Sequence, residues 1–333
     1  MNRLKEQGKE WAVYSLRMAI ASSLAIYTAH MFGLQFETQA GVICIFSMLS
    51  TAKDTLKLSV SRLVSFIITA ITALLAFYFL QSDWLAFGLY IFVTILFSEM
   101  MGWGAALSAN VVAGTHFLSV ESFSHDVVIN EFYIVLIGIV FAVVFNALRN
   151  TKSQRNQLQD CIEDVQYRMK EVLGGIADYL ASEGSLNQVW GQINELQDVL
   201  DTYIQKAADY EGNSFQTDSH YYLHYFEMRI SQCDILESLH DKLRKMRYMP
   251  EQSIIIVEFI LYLYKFITED NHPEIQLKYV EELFAHMKEH EPLPKTREEF
   301  ETRSVLHHIL MDFEEFLLVK KRFVEGNCTK GDV

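Results

Sequence analysis

The sequence predicts an all-α protein: a six-helix transmembrane domain over residues 1–148, followed by a soluble cytoplasmic helical bundle over residues 149–333. Three observations predict it. Half of the 333 residues are hydrophobic, yet the net charge is −14, and the charge is uneven. Residues 1–148 hold 7 Lys/Arg against 9 Asp/Glu, whereas residues 149–333 hold 21 against 33. Long uncharged runs fill the first half and are missing from the second. Finally, the cations stand before the first run, between the second and third, and directly after the sixth (Arg149, Lys152, Arg155), with none in 18–52 or 81–148. Six crossings with both termini inside place every cluster in the cytoplasm, as the positive-inside rule requires.

The runs fall at 11–34, 38–52, 62–81, 84–101, 103–120 and 128–148. A helix needs ~20 apolar residues to cross a bilayer. The first run follows a charged start, like a signal peptide, but it is long and no small-x-small site closes it, so an uncleaved helix is expected. The second, "TQAGVICIFSMLSTA", is short. The third carries the ladder Ser65, Thr69, Ala73, Ala76, whose small side chains let helices approach closely. The fifth, "WGAALSANVVAGTHFLSV", is rich in small and polar residues and suits packing against protein rather than lipid.

Polar groups within such runs are costly and mark functional candidates. The substrate-path candidates are Arg17, Ser47, Ser50, Thr51, Lys53, Lys57, Arg62, Glu99, Asn110, Thr115 and His116. Arg17 reads equally as an interfacial anchor or an anion-binding group. Lys53, Lys57 and Arg62 read either as topology-setting cations or as a cationic vestibule gathering anions. Asn110 reads as an interhelical hydrogen-bonding residue or a path residue. His116 is a structural histidine or a proton-coupling group, since its ordinary pKa of ~6.5 lies near working pH.

The second half shows helical spacing throughout, over about 152–182, 186–210, 217–247, 251–269, 274–289 and 297–325, broken at Gly, Pro and Asn turn signals. In "LPKTREEFETR", Thr296 is an N-cap with Glu299 three residues on, the spacing of a capping box. Arg297–Glu301 and Glu299–Arg303 are opposite charges at i, i+4. Phe300, Leu306, Ile309, Leu310, Phe313, Phe316 and Leu317 are expected on the core face. Arg229 is expected to dock on a carboxylate of this helix, such as Glu298 or Glu301.

Several classes find no support. An acidic domain is a poor match to nucleic acid. Cys44, Cys161, Cys233 and Cys328 make no CxxC, and His220 and His224 at i, i+4 lack a third ligand, so neither metal nor cofactor is expected. No Gly-rich phosphate loop, nucleophile elbow or nucleophile–base set is present, so the chain does not read as an enzyme.

Two segments carry a resemblance. "DSHYYLHYFEMRISQCDILESL" and, about 70 residues later, "LPKTREEFETRSVLHHILMDFEEFLLVKKRF" resemble the C-terminal domain of aromatic acid exporter family 1. The signature positions are Tyr225, Phe226, Glu227 and Arg229, then Pro294, Thr296, Arg297, Glu298, Glu299, Phe300, Glu301 and Arg303. The first half is similar to the membrane domain of that family, a relative of the fusaric-acid-resistance transporters. The wider superfamily often has Arg-x-x-Gly-Thr-x-x-Gly entering the third helix. Here Arg62 stands, but Ser65, Phe66 and Thr69 replace Gly, Thr and Gly.

The resemblance implies a multi-pass bacterial plasma-membrane protein, N- and C-termini cytoplasmic, that exports aromatic carboxylic acids or related small organic anions as a proton-coupled secondary transporter whose cytosolic helices regulate or dimerise it. Its partners would be the lipid bilayer, the anion and a second copy of the chain. The alternative is a membrane-anchored sensor or scaffold whose helical domain binds a cytosolic partner.

Overall fold

The computed structural model describes residues 2–48, 51–80, 82–119, 124–148, 151–216, 219–246, 248–289 and 293–328. Ser50 and Arg149 lie outside them. Among the described residues all regular structure is helical. The chain divides into two compact units: Met1–Asn150 with Gly212–Phe215, and Thr151–Glu211 with Gln216–Val333.

The first unit contains α1 (Asn2–Met31), α2 (Thr38–Ser47), α3 (Ala52–Phe79), α4 (Asp83–Met101), α5 (Gly104–Ser119) and α6 (His125–Ala147). α2 packs against α1 and α6, and α3 packs against α4, α5 and α6. The interior is rich in small residues, packed around Phe66, Tyr90 and Phe117. Ala21, Ala25 and Ala29 on α1 and Ala106, Ala109 and Ala113 on α5 are all buried. The Ser65–Thr69–Ala73–Ala76 ladder is buried at every rung. At Gly138 on α6 an added Cβ would stand 2.7 Å from the Ala40 carbonyl oxygen, so only glycine permits that approach. The outside is large and apolar. Val60, Val64, Ile67, Ile71 and Leu75 form an exposed stripe along α3. Small and polar groups inside with bulky apolar groups outside reverse the pattern of a water-soluble bundle.

Three of these helices, α3, α4 and α6, are long and apolar enough to cross a membrane. The six full-length spans expected from the runs are therefore not all matched. α2 has 10 residues, about 15 Å of helix, and α5 has 16, about 24 Å, against an apolar core of about 30 Å. The run at 62–81 also begins too late. α3 starts at Ala52, so Lys53 and Lys57 ride on its first turns rather than preceding it. Polar residues there hid the helix from a search for uncharged runs. Thr51 supplies the local start: its hydroxyl accepts from the Asp54 amide (3.3 Å) and donates to the Asp54 carboxylate (2.8 Å). α4 ends at Gly102, whose φ of 66° lets the Trp103 amide reach back to the Ser98 carbonyl at 2.8 Å.

The second unit contains α7 (Thr151–Leu180), α8 (Leu186–Asn213, its last residues clustering with the first unit), α9 (His220–Leu243), α10 (Ser253–Tyr264), α11 (Glu274–Glu289) and α12 (Arg297–Cys328). α12 packs on α9 and α11, and α10 packs on α7. Leu158, Ile162, Val165, Met169, Val172, Ile176 and Leu180 form the buried stripe of α7 at spacings of three and four. On α12, Leu306, Ile309, Leu310, Phe313, Phe316 and Leu317 are buried as expected. Phe300 is not: it is 61% exposed. The buried face begins at Thr302, and two residues of helix turn Phe300 about 200° away from it.

Candidate functional site

The candidate site lies in the first unit and starts from Arg62. α3 carries its guanidinium inward until only 2% of the residue is exposed. Nη1 donates to the Ile43 carbonyl at 3.3 Å and to the Ser47 hydroxyl. Nη2 donates to the Ala105 carbonyl at 3.2 Å. Ile43 and Ser47 lie in the second half of α2, so the cation sits toward a helix C-terminus, where the dipole favours positive charge. Among the described residues no carboxylate is its partner, and Nε has none. A buried cation normally requires an opposite charge. Among the described residues neutral oxygens hold it.

Two hydroxyl–amide links extend the polar interior. The Asn110 amide donates to Ser65 Oγ at 2.6 Å, and the Tyr90 hydroxyl donates to the Asn110 carbonyl at 2.6 Å. On the other side, the Asn146 amide donates to Thr55 Oγ1 at 2.7 Å, and Thr55 donates to the Ser47 carbonyl at 3.0 Å. Ser47, Arg62, Ser65 and Asn110 thus join α2, α3 and α5 through buried polar contacts.

A second polar pair lies between α5 and α6. His116 Nδ1 is 2.9 Å from Glu131 Oε1. The Glu131 residue is fully buried, and its Oε2 has no partner among the described residues. Phe36 stacks on the imidazole, with ring centroids 4.0 Å apart and planes at 6°. Phe36 holds φ at 58°, a costly conformation for an aromatic residue. Reciprocal bonds between Gln35 and Asn130, at 2.8 and 3.0 Å, fix the backbone beside it. The arrangement holds an ionisable pair under an aromatic lid, and the pair can share or pass a proton.

The other sequence candidates lie elsewhere. Thr51 is half-buried and its hydroxyl caps α3. Lys53 is half-buried, and Lys57, Glu99 and Thr115 are exposed. Arg17 is half-buried, 5.7 Å from the Tyr14 ring centroid. Ser50 lies outside the described residues. Sequence reasoning missed Glu131, Tyr90 and Phe36. Glu131 alone carried a readable signal: it is a carboxylate within an otherwise uncharged run.

In the second unit the signature positions make structure. Thr296 Oγ1 accepts from the Glu299 amide at 3.1 Å, and Glu299 reaches back to the Lys295 amide at 2.8 Å, one residue short of a reciprocal capping box. That contact, then Arg303, holds the Glu299 carboxyl below its usual range. Arg297–Glu301 and Glu299–Arg303 pair at 2.8 and 2.6 Å. Tyr225 and Phe226 are buried; Glu227, Glu298 and Glu301 are exposed; Pro294 is half-buried. Arg229 does not dock on Glu298 or Glu301. It donates to the Tyr225 hydroxyl, Gln232 Oε1 and Met169 Sδ. The part of α12 beside it, near Phe316, is about 22 Å along the helix from Glu301.

Comparison with known proteins covers nearly the whole chain. Residues 13–148 match the model described as "Aromatic acid exporter family member 1". Residues 155–321 match "Putative aromatic acid exporter C-terminal domain". The chain is 26% identical over 318 residues to "Uncharacterized protein YqjA" of Bacillus subtilis (strain 168), covering 93% of this chain and 95% of that one. A solved structure titled "Crystal structure of putative membrane protein from Clostridium difficile 630" is 27% identical and covers 50% of this chain and 99% of its own, with a TM-score of 0.44.

Proposed function

The chain belongs to aromatic acid exporter family 1, and from that premise we propose that it exports aromatic carboxylic acids or related small organic anions across the bacterial plasma membrane as a proton-coupled secondary transporter. The observation that carries the substrate class is Arg62. Among the described residues it is a buried guanidinium held only by neutral oxygens, with no partner for its Nε. A passing carboxylate supplies the missing charge, and a charge-assisted bond to arginine is strong and directional. Lys53 and Lys57, nine and five residues before Arg62 on the same helix, draw anions toward that end of α3.

His116 and Glu131 supply the proton step of this reading. The reaction is movement of solute and proton, without covalent chemistry, as expected of an exporter family. The topology we assign has six membrane segments over 1–148, both termini in the cytoplasm, and the helical domain 149–333 on the cytoplasmic side. The short α2 and α5 are accommodated because they pack on longer neighbours. A homodimer doubles the six-segment unit.

The test is efflux from cells loaded with labelled hydroxybenzoates and cinnamates. Deletion of the gene should raise retention of at least one acid, and the wild-type chain, but not Arg62→Gln, should restore efflux. Equal retention with and without the chain across the panel would reject the reading. A stable cytosolic partner captured in that case would favour a sensor or scaffold.

A further inference from the structure

Arg229 on α9 and Lys320 on α12 are cations enclosed in the second unit, 1% and 4% exposed. Both stand against one ring: Arg229 Cζ is 5.0 Å and Lys320 Nζ 5.8 Å from the Tyr225 centroid. Among the described residues their hydrogen-bond partners are neutral. Arg229 donates to the Tyr225 hydroxyl, Gln232 Oε1 and Met169 Sδ, and its Nη2 has no partner. Lys320 Nζ donates to the Glu269 backbone carbonyl at 2.6 Å. The Glu269 carboxylate turns elsewhere, to the Tyr221 hydroxyl (2.7 Å) and the Gln159 amide (2.9 Å).

These two cations line one small cavity, together with Gln232, Phe316, Phe266 and Asn271. It has room for about one water-sized group, so only a water or a monatomic ion fits. The donors decide between them. The Arg229 guanidinium and the Lys320 ammonium can only donate, and both are positive. Like charges brought together in a dry space repel, and a fold keeps such a pair at a cost in stability. A water adds no charge and leaves that cost in place. A monatomic anion accepts from both groups and offsets their repulsion. Chloride is only slightly larger than a water, and the flexible four-carbon stem of Lys320 gives the extra clearance.

We propose that the cavity between Arg229 and Lys320 binds one chloride ion. Its lining comes from α9, from α12 and from the connection between α10 and α11, so an ion there ties three parts of the helical unit together. The stability of that unit thereby follows the chloride level around it. Polyatomic anions such as phosphates, sulfonates and carboxylates exceed the space. The site does not rest on the transport reading, because it uses neither Arg62 nor the acid which that reading assigns.

Protonation links to binding with a definite sign. Arg229 and Tyr225 face Lys320 from α9, and Glu269 and Asp270 act on it from the connection between α10 and α11. Burial, then Arg229, pushes the Lys320 ammonium down to about 7, while Glu269 and Asp270 act in the opposite direction. Bound chloride favours the charged ammonium, so binding takes up protons above that pH and weakens as the pH rises.

The experiment is thermal unfolding of the purified full-length chain in detergent, titrated with sodium chloride while sodium isethionate holds the ionic strength constant. We expect a saturable rise in Tm of about 2–4 °C at about pH 6, which isethionate alone does not give. The apparent chloride affinity should fall about tenfold or more between about pH 6 and about pH 9. Lys320→Met should abolish the chloride response. Arg244→Gln, which removes an exposed cation at the end of α9, should keep it. The anion comparison and the pH profile of the wild-type chain read the site without any variant. The proposal is overturned by a Tm that ignores chloride at constant ionic strength, by a response that does not weaken as the pH rises, or by a chloride response retained in a folded Lys320→Met chain.

Discussion

The side-chain amide of Asn110 donates to the hydroxyl of Ser65 at 2.6 Å, tying α5 to α3. The two residues are 1% and 0% exposed. Ser65 supplies the acceptor that the buried Asn110 amide requires. Ser65→Ala leaves the Asn110 amide unpaired in the interior and should cost about 1–2 kcal/mol. Ser65→Ala with Asn110→Ala should cost less than the sum of the single changes. Thermal unfolding of the four chains in one detergent measures the coupling, and strict additivity would show the bond to be energetically idle.

Arg62 gives a sharper separation between structure and transport. Arg62→Lys keeps the charge but a single ammonium cannot span the Ile43 and Ala105 carbonyls. It should reduce efflux of aromatic carboxylates about tenfold or more, chiefly through a higher KM. Arg62→Gln should reduce it further. Efflux assays normalised to membrane-inserted protein check this, and wild-type efflux from a correctly inserted Arg62→Gln chain would remove Arg62 from the path.

Local chemistry made part of this legible in the sequence. The start of α12 could be read because a cap, its carboxylate and its i, i+4 pairs all lie within eight residues. The small-residue ladder of α3 could be read because close helix packing requires it. Tertiary pairings could not. Nothing near Arg229 says that it faces Lys320, ninety-one residues later. Nothing near His116 says that it meets Glu131 under Phe36. The start of α3 was obscured for a different reason: its first turns are polar, so an apolar-run search begins at Arg62 while the cap sits at Thr51.

Lys320 sets a pH dependence of stability whose sign follows from its burial. In the unfolded chain the ammonium stays protonated up to its ordinary 10.5, whereas in the fold it is protonated only below about 7. Between those values the unfolded chain binds more protons, so stability rises with pH from about 7 to about 10.5. Lys320→Met should therefore stabilise the unliganded protein at about pH 6, by on the order of 1–3 kcal/mol, and give progressively less advantage above about pH 7. Thermal unfolding of both chains across that range tests it, and a destabilised Lys320→Met protein at the acid end would contradict the assignment.

His116 and Glu131 yield the remaining prediction. The pair is enclosed: Glu131 faces His116 and Tyr90, Asn130 adjoins it on α6, and Phe36 covers the imidazole. Glu131→Gln retains a similar shape and a hydrogen-bonding group but removes the site that gains and loses a proton. If the pair couples transport, this variant should still move the acid down its own gradient, while an imposed proton gradient no longer accelerates efflux. His116→Gln should show the same loss of acceleration, because each residue hands its proton to the other. Phe36→Leu removes the stacking and should leave the coupling in place with reduced rate. Reconstituted vesicles with and without a pH step distinguish these cases. Unchanged acceleration in Glu131→Gln would make the pair a packing element, and the proton step would then have to be sought at another group.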